Sequence, residues 1–80
     1  MTDNVVDMTP GSIRLRVGDR IVRIFGEAYL RGHGSPDFVA GVSLIKAWED
    51  GSPVTDADRE AITRTLKESA TARRMTLEIE

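Results

Sequence analysis

Eighty residues bound the chain to one domain, and a domain this short buries only about 60–65% of the surface that its unfolded form exposes. The absence of cysteine excludes a disulfide framework and any thiolate metal site. With 40% hydrophobic and 30% charged residues and a net charge of −2, the composition is that of a folded domain, neither disordered nor uniformly basic.

The first segment, MTDNVVDMTPG, shows no sustained period and closes on Pro10-Gly11. It reads as a flexible leader over residues 1–11, with a single domain over 12–80. Strict alternation then sets Ile13, Leu15 and Val17 against Arg14 and Arg16, the pattern of a half-buried strand. Gly18-Asp19 marks a tight turn into a second strand over 20–25, with Val22 and Ile24 facing the core and Ile21, Arg23 and Phe25 facing outward. Gly26 allows a bulge or bend before a short third strand, Ala28-Tyr29-Leu30. Residues 31–36 carry two glycines and a proline and read as a loop.

Residues 37–46 are apolar on both parities, which predicts a strand buried on both faces. One helix cannot cover both faces of a sheet, so the pattern points to a homodimer, with Val39, Ile45 and Trp48 as interface candidates, or to a central strand beneath a long loop. Trp48, at a strand end, reads first as a core lid over the helix start and second as a partner contact. Thr55 is set up as a helix N-cap followed by Asp56 and Asp58, and the helix runs to about Arg73. Its inward stripe is Ala61, Ile62, Thr65, Leu66, Ser69 and Ala70. A last strand alternates Met75, Leu77 and Ile79 with Thr76, Glu78 and Glu80. The expected fold is α+β: a mostly antiparallel sheet of four or five strands with one helix on one face, in the order β-β-(β)-β-α-β.

The inventory for catalysis is poor. His33 is the single histidine and lies between two glycines, with no nucleophile-elbow sequence near Ser35 or Ser43. Structural zinc needs four His or Cys ligands and the chain offers one. Asp56 and Asp58 belong to a helix start, and the glycines match no phosphate-binding motif. The reading is therefore a non-enzymatic binding protein with no cofactor and no metal.

Charge is unevenly placed. From Ser12 to Arg31 five arginines face Asp19 and Glu27, a net +3, whereas from Ala47 to Glu80 eight acids face five bases, a net −3. Arg14, Arg16, Arg23 and Phe25, with Tyr29 and Arg31, can share the sheet face away from the helix. Arginine forks and aromatic rings there would suit phosphates and unpaired bases, which makes DNA or RNA an alternative partner. If the last strand lay beside these arginines, Glu78 and Glu80 would instead neutralise them across strands.

Several residues in order carry a family resemblance: Gly26-Glu27 ending a strand, Ile45 and Lys46 leading to Trp48, Pro53 closing a loop, Ile62 and Leu66 in a capped helix, and a final strand from Met75 to Ile79. Over roughly residues 20–80 this arrangement resembles the immunity protein 74 family of bacterial polymorphic toxin systems. The resemblance implies a small α+β protein that neutralises a cognate protein toxin by binding it, and it brings no catalytic residues. The order of hairpins then helix is similar, more loosely, to the dimeric purine-rich-element and whirly-type single-strand binders. With no run of about 20 apolar residues and no basic-then-apolar start, a cytoplasmic protein without a membrane partner is expected.

Overall fold

The computed structural model describes residues 3–29 and 37–80. Five strands, β1 (Val5–Thr9), β2 (Ser12–Val17), β3 (Arg20–Ala28), β4 (Phe38–Ala40) and β5 (Leu77–Ile79), form one sheet in chain order. Helix α1 (Asp56–Ala72) enters between β4 and β5, so those two strands pair in parallel while the other pairs are antiparallel. The fold is α+β, in the order β-β-β-β-α-β.

The β2–β3 hairpin follows from the alternation. Val17 pairs with Arg20 across a two-residue turn, and Gly18 takes a φ of +64°, as a turn with glycine first requires. Ile13, Leu15, Val22 and Ile24 are fully buried beneath α1, whose Ile62 and Leu66 are fully buried in turn. Thr55 caps the helix reciprocally: its hydroxyl accepts the Asp58 amide at 3.1 Å and Asp58 accepts the Thr55 amide at 3.0 Å. At the other end Arg74 takes the left-handed conformation, φ 55°. The Met75 amide donates to the Ala70 carbonyl at 2.8 Å and the Arg74 amide to Thr71 at 3.1 Å, a complete Schellman closure.

Three sequence expectations are corrected. Within the segment read as a leader, residues 5–9 form edge strand β1. Its alternation is hidden because the register slips between Val5 and Asp7. Val5 and Met8 pack on the core, the Asn4 amide donates to the buried Ser69 hydroxyl at 3.0 Å, and Asp3 pairs with Arg73 at 2.7 Å. Gly26 makes neither a bulge nor a break: β3 runs through it to Ala28, because the Phe38 ring and the Val39 carbonyl lie where a side chain would stand. Leu30, the end of the expected third strand, lies outside the described residues.

The third correction concerns 37–46, where only Phe38–Ala40 is strand and Val42–Leu44 is a 3-10 turn. Gly41 donates to the Phe25 carbonyl at 2.8 Å, after which the chain leaves β3 and the Ser43 amide bonds the Glu80 carbonyl at 3.0 Å. The turn sends Val42 and Ile45 inward and leaves Leu44 outside. Both parities are apolar because the segment turns, not because it is covered on two faces. Ile45 and Trp48, proposed for an interface, are 5% and 3% exposed within this one chain, while Val39 is half-buried on the open face.

Candidate partner-binding face

Pairing register decides which side chains share the sheet face opposite α1. Ser12 stands beside Phe25, Arg14 beside Arg23, Arg16 beside Ile21, Asp7 beside Arg14, Glu27 beside Val39 and Val39 beside Glu78. The structure therefore brings Arg14, Arg16, Arg23 and Phe25 onto one face, with Tyr29 following β3. Arg31, His33 and Ser35 lie outside the described residues.

These residues are not equivalent. Arg14 is held by three carboxylate contacts: its Nε and Nη2 donate to the two oxygens of Glu49 at 2.7 and 2.8 Å, and its Nη1 donates to Asp7 at 2.7 Å. Those bonds, to Glu49 first, raise the pKa of Arg14, and the same pairing holds Glu49 below the ordinary carboxylate value. Arg14 is thus committed within the chain. Arg16, Arg23 and Lys46 make no ion pair or side-chain hydrogen bond among the described residues.

Phe25 is 62% exposed and Leu44 is 74% exposed, the two most exposed large apolar side chains described. They meet at a cleft of about 330 Å³ bounded by Arg23, Lys46 and Glu49, where the chain bows away from β3 between Gly41 and Glu49. The chain rejoins the strand when the Glu49 amide donates to the Ile21 carbonyl at 2.8 Å. A second cleft of about 320 Å³ lies on the other side of Phe25, bounded by Glu27, Tyr29, Val39 and Glu80. The Tyr29 hydroxyl donates to Glu27 at 3.1 Å. That bond, with the nearby charges of Glu27, Glu80 and Glu78, raises the phenol's pKa.

The face is therefore polarised about Phe25, with cations on the Arg23 side and carboxylates on the Tyr29 side. The placement that would let Glu78 and Glu80 neutralise the arginines does not occur, because β4 separates β5 from β3. Sequence reasoning missed Leu44, which the two-sided pattern placed inside a strand, and Glu49, which acts on a residue 35 positions earlier. No local signal marks such a reach. Leu44 could have been found by allowing Gly41 to end the strand.

Among the described residues no three His, Cys, Asp or Glu side chains are placed to hold a metal ion, and no helix is long and apolar enough to cross a membrane. No curated protein and no solved structure gives a match to this chain. The family model described as immunity protein 74 matches residues 5–80, and so takes in β1 as well as the segment from β3 onward. The chain belongs to the immunity protein 74 family.

Proposed function

We propose that this protein neutralises a protein toxin by binding it through the sheet face opposite α1. The observation that carries the reading is that Phe25 and Leu44, both strongly exposed, line one cleft with the charges of Arg23, Lys46 and Glu49 around it. Apolar clusters rimmed by charge are what protein partners cover, and aromatic side chains supply much of the energy when they do. Family membership supports a toxin as the class of partner. The reading is one of binding and not of catalysis.

The test is co-expression with the toxin encoded beside this chain, scoring co-purification and rescue of growth. Phe25→Asp and Leu44→Asp are expected to lose both while keeping the far-ultraviolet circular dichroism of the parent. Parental binding by both variants would move the site to another surface. No rescue by the parent chain would end the reading.

Nucleic acid is the second reading, favoured by unpaired Arg16 and Arg23 beside exposed Phe25. Against it stand the commitment of Arg14 to Asp7 and Glu49 and the carboxylates around Tyr29, which repel phosphates. Anisotropy of labelled single-stranded oligonucleotides would decide it. Binding that weakens steeply with salt supports the reading, and none at low salt removes it.

A further inference from the structure

We propose that the same face also closes on a second copy of the chain, about a two-fold axis through Phe25, so that toxin capture proceeds by displacing that copy. The displacement rests on the reading above; the pairing of copies rests on the register of β3 alone.

Along β3, Arg23 lies two residues before Phe25 and Glu27 two residues after it, all on the outward face. Four residues of strand span about 13 Å, so Arg23 and Glu27 cannot reach each other within one chain. Across the strands Arg23 stands beside Arg14, a like charge, and Glu27 beside Val39; the carboxylate nearest Arg23 is Glu49, both of whose oxygens Arg14 already holds. A two-fold axis through Phe25, perpendicular to β3, exchanges the two positions. It lays Arg23 on Glu27 of the partner subunit, and the reciprocal pair forms by symmetry. Phe25 then meets its own copy at the centre, where large aromatic anchors contribute most.

The wider charge pattern obeys the same operation. On the Arg23 side Arg14, Arg16, Arg23 and Lys46 outnumber Asp7 and Glu49, while on the other side Glu27, Glu78 and Glu80 have no cation beside them among the described residues. Rotation carries each excess onto the opposite one. Arg16, beside Ile21 and four residues from the axis, comes to the ring of Tyr29 of the partner subunit, an arrangement that favours a cation over an aromatic face. A surface complementary to itself in this way selects a second copy over a polyanion, which one half of it would repel.

Light scattering at micromolar concentration tests the pairing through charge exchange. The parent chain is expected at twice 8.8 kDa. R23E and E27R, both at exposed positions, are each expected at the monomer mass because each places like charges in apposition. An equimolar mixture of the two should recover the doubled mass, since each copy then meets its opposite. The R23E/E27R chain should recover it as well. Recovery in the mixture cannot come from an unfolded variant, and circular dichroism of each variant confirms the fold. A monomeric parent, dimeric single variants, or a mixture that stays monomeric would each overturn the proposal. Adding toxin to the parent dimer should give a one-to-one complex. A complex retaining two copies of this chain would overturn displacement, whereas absence of any complex would overturn the toxin reading and leave the pairing intact.

Discussion

The indole N–H of Trp48 and the backbone amide of Thr55 donate to the same oxygen of Asp58, at 3.2 and 3.0 Å. The other Asp58 oxygen faces Arg20 at 3.4 Å, and the Arg20 guanidinium lies 4.2 Å from the centre of the Trp48 ring. One carboxylate thus joins the helix start, the buried tryptophan and the hairpin end. Thr55→Ala removes only the cap and is expected to cost about 1 kcal/mol. Asp58→Ala keeps the Thr55 hydroxyl cap but loses the reciprocal bond to the Thr55 amide and the Arg20 contact and strands the buried indole N–H, so it should lower the denaturation midpoint further and shift tryptophan emission. A loss for Asp58→Ala no larger than that for Thr55→Ala, with unchanged tryptophan emission, would refute this.

Gly26→Ala should destabilise by about 1–3 kcal/mol, because the added methyl group meets the Val39 carbonyl and the Phe38 ring, and β3 and β4 must separate. Gly11→Ala is the control, since a methyl group there stands in open space. Urea denaturation of both variants gives the comparison. Similar midpoints would mean that β4 shifts without penalty.

Arg74→Gly should stabilise the fold by about 1 kcal/mol. Arg74 occupies the left-handed position of the Schellman closure, which a side chain disfavours and glycine accepts freely. Thermal melts against Arg73→Gly make the test, since Arg73 has ordinary helical geometry and its replacement should be destabilising. A lower melting temperature for Arg74→Gly would refute it.

Asp58, Glu49 and Asp50 are all held below the ordinary carboxylate range: by the Thr55 amide and the Trp48 indole, by Arg14, and by Ser52 respectively. The unfolded chain therefore takes up protons first as acidity rises. Their contribution is complete above the unfolded values near 4 and is lost as pH falls through the lower folded ones. Tyr29 acts at the other extreme. Its raised phenol value contributes below pH ~10 and is lost as pH climbs through the folded value. Denaturation midpoints from pH 7 to 3 should be flat at first and then decline, and Asp58→Asn should soften the decline.

The parts of this fold legible in the sequence are those whose burial follows one local period. Ile13, Leu15, Val22 and Ile24 announce a hairpin, and Thr55 with Asp58 announces a helix start, because both signals lie within a few residues. Strand β1 escapes because the slip between Val5 and Asp7 breaks its alternation, and its ties to Ser69 and Arg73 span most of the chain. Phe38 to Lys46 misleads because a strand and a 3-10 turn can both bury an apolar run. Of the candidate face, the arginines and Phe25 were legible from strand parity. Leu44 and the Arg14–Glu49 pairing were not, since they depend on where the chain goes after Gly41.

The irregularity between Val5 and Asp7 has a bearing on solubility. β1 is one of the two border strands of the sheet, and a flat border strand is a template on which further chains can add, strand upon strand, into fibrils. A bulge twists the border and interrupts the regular row of donors and acceptors that such growth requires. With its outer row interrupted in this way, the border is a poor template for stacking one molecule on the next, and a small protein gains protection against aggregation along that edge.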